Sequence, residues 1–453
     1  MPADGPLARD LAAVPNATGG TLDLRDALHA MEQARPLPLI TRGSHGEVYW
    51  TPVARALFAV DNIGHHLHSL STDITPTRLS NRIHTWHDDG GARWRTGDRA
   101  VFSKILSGKR LPTPWEVAQL ALLYGEPPTA MFTIAGRPFA DYTGFHGDEL
   151  TRRVELLALA TQTARCVGRW LSGRVPDAKE RMEVFSSTEH NPSTPIDAAA
   201  QTLFETMIRK ALKNGAVEGL HEGDVQFLGE EVRHAEPLTD GALVAIIDPL
   251  DGTIPFIAGL PTWSVSIGMA RYDSRADHLV PLCGVVYHPP FDELFFAVAD
   301  GYAALDRRTG PAPCLTPLSP SPQTSLRRSI LATHLSATSD AAVELFINSG
   351  LLRSLALVSR RLLMLGSGAL ALAYVAAGRV ESFLNARAVG ADVFAGKVIL
   401  DAAARGSGRP AVVTDLGARP WSLAHKSVLA TCTRELHEQI SDLIAMHVPS
   451  SAR

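Results

Sequence analysis

The segment Asp248-Pro-Leu-Asp251-Gly-Thr253 places two carboxylates and a hydroxyl group directly after the apolar run Leu243-Val-Ala-Ile-Ile. A carboxylate at the end of a buried strand is costly unless a cation compensates its charge. Hard divalent cations such as Mg²⁺ prefer clusters of carboxylate and carbonyl oxygens. Gly252 lets the backbone approach a ligand closely. The motif therefore predicts a divalent-metal site, although a surface turn with two capping aspartates would have the same local sequence.

Three further acidic segments accompany this motif. Glu230 and Glu231 follow the apolar Phe227-Leu-Gly, Asp197 lies where a helix begins after Pro195, and Asp392 opens an apolar helix. Taken singly, they are typical of a solvated face, an N-cap and a first-turn acid that favours the helix dipole. Only their combination with the two aspartates indicates a shared acidic site.

The four segments, in this order, resemble the inositol monophosphatase family of Mg²⁺-dependent, lithium-sensitive phosphatases, which is related to fructose-1,6-bisphosphatases. The resemblance covers about residues 148–445 and includes Gly366-Ser-Gly-Ala, which leads into an apolar helix. It implies an α/β fold, a layered α/β/α/β/α sandwich over residues 146–453. It also implies a phosphoric monoester hydrolase that binds two or three Mg²⁺ ions per site and forms a homodimer.

The resemblance also implies roles for individual residues. Metal ligands would be Glu230, Asp248, the Leu250 carbonyl, Asp251 and Asp392, with Glu231 at the rim. Substrate contacts would come from Gly252, Thr253, Gly368, Asn385, Asp392 and Asp197. The implied mechanism is in-line attack by metal-activated water, with Glu230, Thr253 and Asp251 as the catalytic residues.

The sequence departs from the family pattern at the substrate side. Ala391 stands where the family usually has Trp, Ile254-Pro255 replaces a common Thr-Asn, and Asn385 replaces the acid of inositol phosphatases. These changes predict a different pocket and argue against inositol 1-phosphate as the natural substrate. A sugar phosphate, a cyclitol phosphate, a nucleotide or a specialised-metabolite phosphate all fit the implied small phosphorylated metabolite.

Helices and strands must position these residues, and their patterns are visible from about residue 148 onward. Helical spacing predicts helices over 149–171, 196–212, 339–349, 367–378 and 391–405. Apolar and alternating runs predict strands over 243–247, 263–269, 283–287, 294–298 and 330–333, with a hairpin turn at 288–292. The Pro/Ser/Thr-rich stretch 310–325 is typical of a loop.

Residues 1–145 form a predicted mainly helical extension that the chemistry does not require. Residues 78–110 carry eight Lys or Arg against three Asp, and the region 98–125 resembles the second half of a Cro/repressor-type helix-turn-helix. One hypothesis is DNA binding, with Lys104, Lys109 and Arg110 on phosphates. The other is a dimerisation or lid module. DNA binding would make the chain a regulator whose phosphatase-like domain senses a small molecule.

Composition and net charge limit the classes of protein to which the chain can belong. The chain has 453 residues, 45% of them hydrophobic, and a net charge of −4, which excludes a mainly disordered chain and a dedicated polyanion binder. Its four cysteines form no CxxC pair, so we expect reduced thiols. The uncharged runs 252–270 and 362–378 are broken by Gly or Pro, so no membrane span is expected. With no export signal visible at the N-terminus, these features predict a cytoplasmic protein.

Overall fold

A computed structural model provides the structure of the chain. It describes residues 14–15, 21–22, 24–34, 37–43, 47–60, 99–106, 110–124, 128–135, 137–142, 144–145, 147–176, 180, 194–229, 237–307, 314–335 and 341–449. Residues 1–158 with 310–315 form one compact unit, and residues 159–309 with 316–453 form a second. The domain boundary expected near residue 145 stays a prediction.

The described residues of the first unit are mainly helical, as expected, and include three short strand pairs. Its aromatic core contains Trp50, Phe58 and Phe132, whose ring centroids lie 5.1 to 5.5 Å apart. Its helices are α1 (Leu24–Glu32), α2 (Pro52–Val60), α3 (Arg99–Leu106) and α4 (Pro114–Tyr124). Its strand pairs are β1 (Val14–Pro15) with β2 (Thr21–Leu22), β3 (Ile40–Arg42) with β4 (Val48–Trp50), and β5 (Thr133–Ile134) with β6 (Arg137–Pro138).

Side chains hold the residues that directly precede α4. Glu116 accepts a hydrogen bond from the Thr113 backbone N–H, and the Thr113 hydroxyl accepts one from Glu116, which is a capping box at the start of α4. The Arg110 guanidinium donates two 2.9 Å hydrogen bonds to the same carboxylate. A phosphate contact by Arg110 would therefore have to compete with Glu116. Lys109 lies outside the described residues.

The second unit contains a seven-stranded sheet of order β13-β12-β11-β10-β9-β8-β7, in which the β7–β8 pair is parallel. All nine residues of β8 are buried, as expected for a strand covered on both faces. The strands are β7 (Val225–Gly229), β8 (Leu243–Asp251), β9 (Ser264–Asp273), β10 (His278–His288), β11 (Glu293–Val298), β12 (Ala303–Arg307) and β13 (Cys314–Pro317).

A second sheet of five strands has the order β15-β14-β16-β18-β17. Strand β14 is parallel to both of its neighbours, whereas β18 is antiparallel to β16 and β17. The strands are β14 (Ile330–His334), β15 (Arg361–Met364), β16 (Ser382–Asn385), β17 (Val412–Thr414) and β18 (Val428–Thr431).

Helices cover and separate the two sheets, which confirms the expected layered fold. Helices α10 and α11 pack on each other between the sheets, while α6 packs on β8 and α12 on β18. Gly284 permits the close approach of α11 to β10, because a Cβ there would lie 2.8 Å from the Ala395 carbonyl oxygen. The helices are α5 (Gly147–Ser172), α6 (Pro195–Lys213), α7 (Thr253–Ile257), α8 (Ala341–Asn348), α9 (Leu351–Val358), α10 (Gly368–Ala376), α11 (Gly390–Ser407) and α12 (Arg434–His447).

The loop prediction for 310–325 was wrong in part, because Cys314–Pro317 forms strand β13. A four-residue edge strand is too short for its periodicity to stand out from a Pro-rich context. Residues 308–313 lie outside the described residues. Cys166 and Cys432 form no disulfide. None of the helices within the described ranges is long and apolar enough to cross a membrane.

A buried histidine makes the second unit sensitive to acid. His437 of α12 lies between the hydroxyl groups of Thr414 and Thr431, and burial lowers its pKa from 6.5 to about 4. The unfolded chain binds a proton that the folded chain excludes, so stability falls as pH drops from 6.5 towards 4, by up to about 1.4 kcal/mol per pH unit.

We therefore expect His437→Gln to lose less stability than the wild type over this interval. Thermal unfolding at pH 6.5, 5.5 and 4.5 measures the effect. The matched control is His278→Gln at the exposed start of β10, which should follow the wild type. Parallel pH profiles for His437→Gln and the wild type would contradict the assignment.

Candidate active site

Three aspartates from two elements meet in the second unit. Carboxylate oxygens of Asp248, Asp251 and Asp392 lie within 4.8 Å of one another, and the first two residues are buried. Asp248 pairs with Ser266 and Asp251 with Ser264, so β8 holds one more residue than β9 between these pairs. Such a bulge changes the direction of the side chains that follow it. It accompanies the convergence of two aspartates that are three residues apart.

The Asp251 carboxylate is held by four donors, one from β9 and three from the start of α10. It accepts hydrogen bonds from the hydroxyls of Ser264 (3.3 Å) and Ser367 (2.5 Å) and from the backbone N–H groups of Gly368 (3.0 Å) and Ala369 (2.7 Å). Backbone N–H groups and the dipole of a helix N-terminus favour an anion. Burial nevertheless raises the pKa of Asp251, so its negative charge calls for further compensation.

The turn after Asp251 depends on Gly252. This residue has φ 98°, and a Cβ would lie 3.0 Å from the Thr262 carbonyl oxygen and 3.1 Å from that of Gly366. Both the left-handed conformation and the close backbone approach require glycine. The chain then enters α7 at Thr253, whose hydroxyl donates to the Leu250 carbonyl oxygen at 3.3 Å. The predicted carbonyl ligand therefore lies within the same turn.

Asp197 connects α6 to this turn. Its Oδ2 accepts hydrogen bonds from the backbone N–H and the hydroxyl of Thr194, at 2.7 and 2.6 Å, which completes a capping box. Its Oδ1 accepts a hydrogen bond from the Thr253 hydroxyl at 3.2 Å. The capping role that the sequence indicated is thus confirmed. The contact with Thr253 is one that the sequence did not indicate, and the predicted substrate contact of Asp197 stays a prediction.

The predicted substrate residues Gly368 and Asn385 lie on α10 and β16. The Gly368 backbone N–H binds Asp251, and Asn385 is buried at the end of β16, where its Oδ1 accepts a hydrogen bond from the Arg387 backbone N–H at 2.9 Å. His334 is the register partner of Asn385 on β14. Burial lowers the pKa of His334, and the negative charge of Asp251 acts in the opposite direction.

The structure brings together most of the predicted site and adds three residues. Glu230 and Glu231 lie outside the described residues, so their predicted roles stay predictions. Ser264, Ser367 and His334 were not predicted. Ser367 belongs to the quoted Gly366-Ser-Gly segment, and His334 directly follows a predicted strand, so a polar residue at a strand end was the available signal for it. The sequence did not identify Ser264, because the alternation of polar and apolar residues in β9 does not distinguish it from any other inward-facing serine.

The donor set fits Mg²⁺. Asp248, Asp251 and Asp392 offer three carboxylates, and the Leu250 carbonyl lies in the same turn as two of them. Oxygen ligands of this kind suit a hard divalent cation, and three clustered acids would repel one another without one. Of the described residues, Asp248, Asp251, Asp392 and the Leu250 carbonyl would hold the ion.

A comparison with known protein families finds a match that covers most of the second unit. The model of the inositol monophosphatase family matches residues 152–448. The chain belongs to the inositol monophosphatase family. This membership supports a phosphatase that acts on phosphate monoesters.

Individual relatives carry two kinds of name. A protein called Nus factor SuhB from Pseudomonas aeruginosa is 30% identical over 231 residues, which is 50% of this chain and 75% of that protein. Inositol monophosphatase 3 from Solanum lycopersicum is 36% identical over 179 residues, which is 39% of this chain and 61% of that protein. A solved inositol monophosphatase from Anabaena is 25% identical with a TM-score of 0.49, and the match covers 66% of this chain and 98% of that one.

The two buried serines that contact Asp251 are expected to affect the affinity of the site for Mg²⁺. Ser264 and Ser367 both reach Asp251, and their hydroxyl oxygens lie 3.1 Å apart. Groups that orient a metal ligand commonly change metal affinity by about 10- to 100-fold. We expect Ser264→Ala to raise the Mg²⁺ concentration for half-maximal activity by about 10-fold, because one donor to Asp251 is lost.

A neighbouring serine supplies the control for this experiment. Ser266 is equally buried on β9, and its hydroxyl donates to the Ala391 carbonyl oxygen at 3.4 Å rather than to an aspartate. Activity should be titrated with Mg²⁺ for both alanine variants. An equal shift in both would mean that general packing, not the contact with Asp251, determines the affinity.

Proposed function

We propose that the chain is a Mg²⁺-dependent phosphatase that releases inorganic phosphate from a small phosphate monoester. The observation that carries the proposal is the buried cluster of Asp248, Asp251 and Asp392 beside the N-terminus of α10, in a chain of this family. Bound Mg²⁺ ions would neutralise the phosphoryl oxygens, activate water and stabilise the leaving alkoxide. A phosphate dianion could not approach three carboxylates without such compensation.

Residues of the chain itself would position the attacking water and the phosphate and would remove the proton of the water. The Thr253 hydroxyl donates towards Asp197 and the Leu250 carbonyl, so its oxygen is left to accept a hydrogen bond from the attacking water. The contact with Asp197 Oδ1 holds the Thr253 hydroxyl in this orientation. The Gly252 and Thr253 backbone N–H groups would hold the phosphate. Glu230 is proposed to act with Thr253 as the base.

Phosphate release from a substrate panel tests this proposal. The panel should contain sugar phosphates, inositol phosphates, nucleotides and p-nitrophenyl phosphate, each with Mg²⁺ and with excess EDTA. We expect release from at least one ester with Mg²⁺ and none with EDTA. No release from any ester, or release that EDTA leaves unchanged, would overturn the proposal.

A second candidate function is DNA binding by α3 and α4, which would make the catalytic unit a sensor. The favouring observation is the capping box of Thr113 and Glu116 at the start of α4, with the exposed Lys104 on α3. A gel shift on duplex DNA at increasing salt tests it, because binding through phosphates weakens steeply with salt. Lys104→Glu should weaken the shift, and Lys213→Glu, an exposed residue of α6, should not. If no shift appears at low salt, DNA binding is excluded, and dimerisation or a lid role remains the hypothesis for this region.

The assembly and location of the chain are also proposals. We infer a homodimer in the cytoplasm, supported by the family resemblance and by a sequence in which the four cysteines form no CxxC pair. Sedimentation velocity measures the assembly, and a monomer at micromolar concentration would contradict it.

A further inference from the structure

The ends of three neighbouring strands lie at the edge of the seven-stranded sheet that carries the aspartate cluster. Asp251 ends β8, Ser264 begins β9 and His288 ends β10. The antiparallel register pairs Asp251 with Ser264 and Val265 with Tyr287. Because neighbouring strands lie about 4.8 Å apart, this register places His288 two strands, about 10 Å, from Asp251. His288 therefore belongs to the end of the sheet that carries the proposed metal site.

His288 holds the chain that leads into β9. Its ring is buried, and Nε2 lies 2.7 Å from the Pro261 carbonyl oxygen. A carbonyl oxygen only accepts hydrogen bonds, so Nε2 carries the hydrogen and donates it. This bond fixes the beginning of residues 261–264, the segment that connects α7 to β9.

This segment contacts the turn after Asp251 at three points. The Thr262 carbonyl oxygen would lie 3.0 Å from a Cβ on Gly252. The Trp263 ring packs edge to face on the phenylalanine of α7, with ring centroids 5.1 Å apart. The Ser264 hydroxyl donates to Asp251 at 3.3 Å. A displacement of the segment would therefore change the surroundings of a predicted metal ligand.

The other side of the His288 ring faces a charged cluster. Its Nδ1 lies 4.0 Å from Glu293 Oε2 and has no hydrogen-bond partner among the described residues. Arg379 donates to both oxygens of Glu293, at 2.6 and 2.7 Å, and the Tyr374 ring of α10 lies edge-on to the histidine. A buried nitrogen without a partner costs stability, so this histidine calls for a reason other than stability. The bond to Pro261 supplies one.

We propose that His288 is a positioning residue of the metal site, because it holds the 261–264 segment against the turn that carries Asp251. The inference rests on the proposed Mg²⁺-dependent function. Groups that orient a metal ligand commonly change metal affinity by about 10- to 100-fold. His288 acts through several residues of the segment, so we expect the lower end of this range.

Two amide side chains that differ in reach test the proposal. Glutamine can place its NH₂ group where Nε2 of His288 lies, whereas asparagine ends near the position of Nδ1 and falls short of Pro261. Binding of Mg²⁺ alone should be measured by isothermal titration calorimetry. We expect His288→Asn to weaken Mg²⁺ binding by about 10-fold and His288→Gln to stay within about 2-fold of the wild type.

An exposed histidine of the same strand provides the control. His278→Asn, at the start of β10, should bind Mg²⁺ as the wild type does, and circular dichroism establishes that each variant is folded. Equal affinities for His288→Asn and His288→Gln, whether weakened or unchanged, overturn the inference and leave the metal site in place. No Mg²⁺ binding by the wild type overturns the metal site together with the inference.

Hydrogen exchange of the wild type tests the same coupling without a variant. Coupling between two sites is reciprocal, so bound Mg²⁺ should in turn stabilise the contact made by His288. We expect saturating Mg²⁺ to slow backbone exchange in residues 286–293 and to leave residues 273–278, at the opposite end of β9 and β10, unchanged. Unaltered exchange in residues 286–293 would overturn the inference even if His288→Asn fails to fold.

Discussion

Replacing Asp251 with asparagine should lower Mg²⁺-dependent phosphate release by about 10³-fold, which corresponds to about 4 kcal/mol of transition-state stabilisation. Asp251 shares the three-carboxylate cluster, and the substitution removes one of its negative charges. Without that charge, the site should hold a divalent cation weakly. Phosphate release should be measured with the best ester of the panel at the Mg²⁺ concentration that saturates the wild type, and circular dichroism should show an unchanged fold.

The surroundings of Asp251 make a second variant necessary. Because the two N–H groups bind different oxygens, an asparagine amide would place its NH₂ group against the N–H donor of either Gly368 or Ala369, at a cost of about 1–3 kcal/mol in stability. Asp392→Asn avoids these donors and should cause a comparable loss. The control is Asp401→Asn, an exposed residue nine positions later on the same helix, which should retain activity. Normal turnover by folded Asp251→Asn and Asp392→Asn would refute the metal-site assignment.

Replacing Gly252 with alanine should lower the free energy of unfolding of the second unit by about 3 kcal/mol. Roughly 1–2 kcal/mol comes from holding a residue with a Cβ in the left-handed region. The remainder comes from overlap with two backbone carbonyls, at 3.0 Å for Thr262 and 3.1 Å for Gly366, which cannot move as a side chain would. The same displacement would shift Asp251 and Thr253, so activity should fall as well. Urea denaturation with parallel assays measures both effects.

A variant at Gly408 separates the cost of the left-handed conformation from the cost of steric overlap. It also has a positive φ, 68°, but a Cβ there would meet nothing within 4 Å. Gly408→Ala should therefore cost only the conformational part, about 1 kcal/mol. Equal losses in the two variants would show that the turn after Asp251 is not tightly enclosed.

The local chemistry of the site could be predicted from the sequence because it is encoded over short distances. The spacing of Asp248 and Asp251, the glycine between Asp251 and Thr253, and the apolar run before them lie within a dozen residues. The capping position of Asp197 is likewise local, since a cap depends on the next three residues. Long helices such as α5 and α11 were predicted nearly to their ends, because several turns of periodicity specify them.

Short elements and long-range contacts were not predictable in this way. Strands β15 to β18 have three or four residues each, too few for a period to appear. Ser264 and Ser367 are ordinary residues in sequence, and they become part of the site only because β9 and the start of α10 converge on Asp251. No local pattern specifies which distant polar residue a buried carboxylate will meet.

The sequence by itself thus determined the family resemblance and the type of chemistry, a carboxylate cluster suited to a divalent cation. The tertiary structure decided which groups surround that cluster. It placed Asp392 beside Asp248 and Asp251 through the packing of α11 on the seven-stranded sheet, and it placed His334 beside Asn385 through the pairing of β14 with β16. The physical reason is that ligand type follows from the residues, whereas their convergence depends on close packing between elements far apart in the chain.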